Sequence, residues 1–313
     1  MIKKNIAILG ATSHIAKGLI NNFLNDGNVI LHLFTRSHQK VADFLESIGR
    51  LSGGDYIIHE GYEDFLKLSY DVVINCVGTG TMKRMHGDYS SYFTITEKCD
   101  NLVIEYLLRN TKALYIDFSS GSVYGRGFSE PAGENTTNNI KVNHVSIEDY
   151  YSMARLNSEA KHRSLDKLNI VDLRIFSYFS RFIDLSDGYF ITDIMESIKD
   201  KKILTISSQD FIRDYLHPQD LYSMILKCFN IGKINSSFDV NSSKPVTKKE
   251  MLDYFSSVYG LEYQISETME STSSTGIKNV YYSKYDNAKT VGYKPSFSSM
   301  DAIVQESKYI LNN

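Results

Sequence analysis

The sequence has no tryptophan, four prolines, three cysteines and no long apolar run. Each scarcity excludes a class of protein. Cys76, Cys99 and Cys228 are odd in number and far apart, with no CxxC among them. Neither a disulfide framework nor a cysteine-based metal site is written into such a chain. The pattern fits a reduced, cytoplasmic protein. No stretch approaches the roughly 18–20 apolar residues of a membrane span. The opening MIKKNIAILGA imitates a secretory signal, but its apolar run covers only residues 6–9 and ends in a glycine. A first β-strand explains it better. Net charge is small as well, since 34 basic and 37 acidic side chains leave −3. A nucleic-acid binder needs clustered Lys and Arg. The nearest basic run here, Lys248-Lys249, reads as a solvated helix start. The eight histidines show no ligand spacing, so no metal is expected.

The rest of the composition, 42% hydrophobic and 23% charged, is that of a globular chain. Disorder and low complexity are excluded. At 313 residues, one large domain or a domain and a half is expected. Short apolar runs at 5–9, 29–34, 56–59, 71–77, 113–118 and 171–176 predict strands. Amphipathic segments at 14–25, 39–49, 92–109 and 150–167 lie between them and predict helices. This alternation predicts an α/β fold with a doubly wound parallel sheet. Later segments at 191–199, 218–230, 248–259 and 299–310 predict helices of a smaller C-terminal lobe, with a strand returning to the sheet near 238–241. The polar stretch 266–276 reads as an exposed loop. The helix around 102–108 is apolar nearly all round (Leu102, Val103, Ile104, Tyr106, Leu107, Leu108). Two apolar faces on one helix suggest a second partner, and a homodimer through the helices near 92–109 and 150–167 is expected.

Three constellations carry chemistry. The first is GATSHIAKG, residues 10–18, between the first strand and the first helix. A glycine turn there lets backbone N–H groups meet a phosphate at a helix N-terminus. Its three positions, read as G-x-x-G-x-x-G, hold Gly10, Ser13 and Ala16. The second is the tip of the second strand, Phe34-Thr35-Arg36-Ser37, with Lys40 nearby. An NAD site puts Asp or Glu at this tip to bond the ribose, whereas a guanidinium suits a 2′-phosphate. NADP(H) is therefore preferred and NAD remains open. The third is Ser119-Ser120-Gly121-Ser122-Val123-Tyr124-Gly125 at a strand end, followed by Tyr151 and Arg155. Residues at i and i+4 share a helical face, and a cation beside a phenol favours the phenolate. Such a phenol is equipped for proton transfer.

Together these motifs resemble the extended short-chain dehydrogenase/reductases, in the NAD-dependent epimerase/dehydratase group that acts on nucleotide sugars. GATSHIAKG resembles the opening glycine motif, DVVINCVG (71–78) the strand beside the cofactor and YIDFSSGSVYG (115–125) the serine/threonine motif. Tyr151-x-x-x-Arg155 with Glu159 resembles Y-x-x-x-K, Arg174 the LR strand and RDYLHPQDL (213–221) the R-D-[FY]-[VI]-H-V-x-D-L motif. Segments 241–252 and 291–303 resemble the closing motifs.

The resemblance implies a Rossmann domain over 1–176, joined again by 216–243, and a substrate-binding lobe from 177–215 and 244–313. It implies that Ser120, Tyr151 and Arg155 are catalytic, with Arg155 where the family has lysine. It implies cofactor contacts from Gly10, Thr12, Ser13, His14, Ile15 and Ala16, and from Arg36 and Ser37. Cys76, Val77, Gly78, Ser119, Phe176 and Ser177 complete that set with Tyr151 and Arg155. It implies substrate contacts from Gly80, His86, Ser120, Gly121, Ser122, Arg213 and Tyr215, Arg213 gripping the nucleotide diphosphate. His217 reads as structural.

Departures narrow the reaction. Family dehydratases carry Asp-Glu directly after the catalytic threonine, where this chain has Gly121 and Ser122. Family epimerase-reductases carry a cysteine two residues before the motif tyrosine, where this chain has Ser122. What remains is hydride transfer. The leading expectation is NADPH-dependent reduction of the C4 keto group of a nucleotide-linked 4-keto-6-deoxy sugar. The alternatives are a 4-epimerase with tightly bound NAD and a non-catalytic NADP-binding sensor.

Overall fold

The computed structural model describes residues 3–50, 53–78, 87–126, 129–267 and 279–312. The first strands and helices alternate: β1 (Lys4–Leu9), α1 (His14–Asp26), β2 (Val29–Thr35), α2 (His38–Ser47), β3 (Tyr56–Glu60) and β4 (Val72–Asn75). α3 (Ser91–Arg109), β5 (Leu114–Ser120), α4 (Ile147–Ser164) and β6 (Asn169–Ile175) continue the pattern. Short strands β7 (Ser177–Tyr178), β8 (Leu204–Ser207), β9 (Ile212–Arg213) and β10 (Tyr215–Leu216) follow, with α5 (Phe190–Asp200) among them. The chain then runs through α6 (Pro218–Phe229), β11 (Asn235–Val240), β12 (Val246–Thr247) and α7 (Lys248–Tyr259). It closes with β13 (Tyr263–Ser266), β14 (Val280–Tyr281) and α8 (Ser299–Leu311).

Seven strands form the main sheet in the order β11-β6-β5-β4-β1-β2-β3, and every pairing in it is parallel. Apolar runs such as Ile6–Leu9 are buried on both faces, as a sheet flanked by helices requires. On one face α1 and α6 supply Leu19, Phe23, Met224 and Ile225. On the other, α3 supplies Val103, Tyr106 and Leu107. The order reverses between β1 and β4, which opens a crevice beyond the carboxyl ends of those strands. A second core holds Phe179, Ile191, Met195, Phe255 and Ile303, drawn largely from α5, α7 and α8. It walls the far side of the crevice.

Several sequence expectations shift. β4 ends at Asn75, short of residue 77, because the Asn75 Oδ1 turns back to accept the Val77 N–H at 3.1 Å. α4 begins before residue 150, since Ser146 and Asp149 form a capping box. The returning strand starts at Asn235, not near 238. Of the loop expected at 266–276, Ser266 instead closes β13, which pairs with β8, and 268–276 lie outside the described residues. Lys248 does start a helix but is not solvated. It is 4% exposed, and its Nζ donates to the carbonyls of Ser207 and Gln209 at 2.5 and 2.9 Å. On α3, Val103, Tyr106 and Leu107 face the sheet, while Leu108 is 62% exposed.

Candidate active site

The crevice is a cleft of about 2070 Å³. A site for one small ligand usually occupies roughly 300–1,000 Å³, so this cleft has room for two. At its head, Gly10 takes φ +73°, a left-handed conformation that glycine adopts without strain. A Cβ there would also press within 3.0 Å of the Cys76 carbonyl group and the Val77 nitrogen. The Ser13 Oγ caps α1 by accepting the Ala16 N–H at 3.3 Å. Among the described residues the N–H groups of His14 and Ile15 are left as orphan donors of the first turn. Thr12, Ser13, His14 and Ile15 line the cleft. Ala16 is fully buried in the core instead. The His14 Nε2 pairs with the Ser180 Oγ at 2.8 Å, and burial lowers its pKa to about 3. A neutral imidazole therefore sits beside these donors.

Arg36 is exposed at the tip of β2 and lines the same cleft. Ser37 turns away to cap α2, accepting the Lys40 N–H at 3.5 Å. Cys76, Val77 and Gly78 form the cleft wall at the end of β4. Gly80 and His86 lie outside the described residues.

β5 and α4 bring the catalytic candidates to the cleft's middle. Ser120 ends β5, and its Oγ accepts the Ser122 N–H at 3.1 Å. Tyr151 and Arg155 lie one turn apart on α4, with the Arg155 guanidinium carbon 5.4 Å from the Tyr151 ring centre. Tyr92 packs on the Tyr151 ring at 5.4 Å. Arg155 is 6% exposed, and among the described residues its Nε has no hydrogen-bond partner. Burial works against this cation, but the oxygens of Tyr151 and Asp117 hold its pKa above the ordinary value. The Ser122 Oγ is also buried without a partner among the described residues. Gly121 is pressed against the Phe176 ring, where an added Cβ would come within 2.4 Å. Phe176, Ser177 and Tyr215 line the cleft.

Two buried networks hold this frame. The Ser119 Oγ donates to Glu159 at 2.5 Å, and Arg174 grips Glu159 at 2.6 Å. Arg174 also donates to the Tyr124 hydroxyl at 2.8 Å, which donates in turn to Asp239 at 2.9 Å. Behind Arg155 stands a second network. The His162 Nε2 bonds Asp100 and its Nδ1 bonds Asp172, both at 2.7 Å. Burial opposes protonation of His162, yet the two carboxylates push its pKa up to about 10. Asp117, His162 and Asp172 bring ligand-type atoms within 4.8 Å of one another. A doubly donating imidazolium has no lone pair left for a metal.

At the far end Arg213 is half-buried, 4.6 Å from the Phe211 ring centre and 5.8 Å from that of Tyr281. Its Nη1 donates to the Ile212 carbonyl at 3.1 Å, and among the described residues it has no carboxylate partner. His217 is structural: its Nδ1 caps α6 by accepting the Gln219 N–H at 3.0 Å. The sequence reading missed Tyr281. Its hydroxyl lies 3.1 Å from the Ser120 Oγ, and its ring packs tilted on Phe176 with centroids 5.1 Å apart. It sits on a two-residue strand with no motif or periodicity to mark it.

The glycine cradle, the orphan N–H donors and the unpartnered Arg155 Nε fit a nicotinamide dinucleotide. The fold and site thus define a Rossmann-type enzyme with a serine, a tyrosine and a cation on one cleft. The NAD dependent epimerase/dehydratase family profile matches residues 6–240, and the chain belongs to that family. No curated protein matches the chain in sequence.

Solved structures match along the whole fold. A UDP-N-acetylglucosamine 4-epimerase from Methanobrevibacter ruminantium, in complex with UDP-N-acetylmuramic acid, superposes with a TM-score of 0.82 at 15% identity, covering 100% of this chain and 99% of that one. A UDP-glucuronic acid 4-epimerase from Bacillus cereus, with UDP-glucuronic acid and NAD, gives 0.77 at 17%, covering 98% of each. A dTDP-glucose 4,6-dehydratase from Bacillus anthracis, with NAD, gives 0.76 at 15%, covering 99% and 97%.

Proposed function

We propose that this chain is an NADP(H)-dependent reductase acting on the C4 keto group of a nucleotide-linked 4-keto-6-deoxy sugar. The observation that carries the reading is a Ser120, Tyr151 and Arg155 set on one cleft, followed by Gly121 and Ser122 with no added acid or base. Hydride transfer needs one proton donor at the carbonyl oxygen, and dehydration or carbon epimerisation needs more. When bound, the reduced nicotinamide supplies the hydride. Tyr151 protonates the forming C4 oxygen, and the Ser120 hydroxyl donates a hydrogen bond to it. Arg155 binds the nicotinamide ribose hydroxyls with its uncommitted donors and steadies the phenolate. Arg213 pairs with the substrate diphosphate, and Arg36 with the adenosine 2′-phosphate.

Two further features belong to this reading. Leu108 is 62% exposed and Leu156 37% exposed on α3 and α4, which supports a homodimer through those helices. The three cysteines are free and buried, which supports a reducing compartment such as the cytoplasm. The test is NADPH oxidation with a panel of nucleotide 4-keto sugars, and the expected result is net turnover with at least one.

A second reading, a 4-epimerase with tightly bound NAD, draws on the 4-epimerases among the structural relatives. It also draws on Glu63, an acid at the Arg36 end of the cleft that can bond an unphosphorylated ribose. Releasing and identifying the bound nucleotide separates the two readings.

A further inference from the structure

The Arg155 cation is buried, and a buried cation needs a partner. Among the described residues one carboxylate lies within ion-pair distance, the Oδ2 of Asp117, 3.8 Å from the Arg155 Nη1. Asp117 sits on β5, three residues before Ser120, and neither hydride transfer nor ligand binding as described above uses it. Its other oxygen is clamped. The Asn75 Nδ2 donates to Oδ1 at 3.0 Å, and the Tyr115 hydroxyl lies 3.2 Å from it. With Oδ1 held on that side, Oδ2 is left for the guanidinium. The same carboxylate is among the ligand-type atoms within 4.8 Å of one another around His162. Without the Asp117 charge, the Arg155 guanidinium would stand in a site of low dielectric with no carboxylate in ion-pair distance among the described residues.

We propose that Asp117 is the positioning residue of Arg155: its carboxylate, clamped by Asn75 and Tyr115, holds the guanidinium against Tyr151 and the nicotinamide ribose. The proposal rests on the reading of Arg155 as a cofactor-binding group. It also accounts for arginine at this position. A guanidinium has donors enough to meet a carboxylate on one side and a ribose on the other.

The experiment is a double-mutant cycle on binding, read by NADPH and NADH fluorescence in the full-length protein, so that no substrate need be known. Arg155→Met is expected to weaken cofactor binding about tenfold or more, the loss of a charge-assisted contact. Asp117→Asn is expected to weaken it by a similar factor. The double variant is expected to match the single ones, because each breaks the same contact. Multiplicative losses, or an Asp117→Asn protein that binds as the wild type does, overturn the proposal alone. An unchanged affinity in Arg155→Met overturns the underlying reading, and the proposal with it.

A length-compensating pair covers the case in which Asp117→Asn fails to fold. Arg155→Lys shortens the cation and is expected to weaken binding. Adding Asp117→Glu lengthens the acid by one methylene and is expected to recover at least half of the lost affinity. A merely structural role for Asp117 gives no such rescue, and its absence contradicts the proposal. Thermal unfolding checks that each variant is folded.

Discussion

The Arg155 guanidinium carbon lies 5.4 Å from the centre of the Tyr151 ring, one helical turn along α4. This pair places a proton donor beside a permanent cation. Replacing Tyr151 by Phe removes the proton and leaves the shape. Turnover is expected to fall about a hundred- to ten-thousand-fold, with a much smaller loss of NADPH affinity, because on the proposed reading the phenol acts chiefly on the substrate oxygen. Steady-state kinetics with a fluorescence titration checks both halves. Arg155→Met is expected to lose affinity as well as rate.

Arg36 stands at the exposed tip of β2 with no carboxylate at the tip itself. On the proposed reading its contribution is confined to a 2′-phosphate. Arg36→Ala is expected to weaken NADPH about ten- to a hundredfold, the range of a charge-assisted contact, and to leave NADH nearly unchanged. The ratio of the two dissociation constants is the quantity to measure.

His162 ties α4 to Asp100 on α3 and to Asp172 on β6. An unfolded imidazole titrates near 6.5, and here the two carboxylates push the folded value up to about 10. The folded state therefore binds this proton more tightly. Its stabilisation is complete below pH 6.5 and is lost as pH rises through about 10. Denaturant midpoints are expected to fall over that window. His162→Leu is expected to cost about 1–3 kcal/mol at neutral pH by removing a donor shared by two buried carboxylates, which keep Lys161 and Arg163 as cationic partners, and to flatten the fall.

Leu108 and Leu156 on α3 and α4 are left 62% and 37% exposed among the described residues. Leu108→Glu places a charge on that surface. Light scattering after size exclusion is expected to give twice the chain mass for the wild-type protein and a single chain mass for the variant. An unchanged mass assigns the leucines another role.

Much of this was readable from residues alone, for physical reasons. Ser120, Tyr151 and Arg155 are carried by one strand end and one helix turn, so fixed spacing marks them. Gly10 is marked because the backbone just after β4, at Cys76 and Val77, leaves no space for a Cβ. Tyr281 was hidden, because a two-residue strand carries no periodicity. It reaches Ser120 through the pairing of β14 with β9. Asp117 was hidden because one acid inside a buried strand shows no pattern until Arg155 is seen beside it. Lys248 read as solvated because a Lys-Lys pair looks the same whether or not its first ammonium meets the carbonyls of Ser207 and Gln209.

The most direct test of the central claim is a cofactor balance. The purified protein is denatured to identify any retained nucleotide. Native protein is then mixed with NADPH and nucleotide-linked 4-keto-6-deoxy sugars. The expected result is one NADPH oxidised for each 4-hydroxy sugar formed, with no tightly held NAD released. Interconversion of 4-hydroxy epimers without added cofactor, together with released NAD, would contradict it.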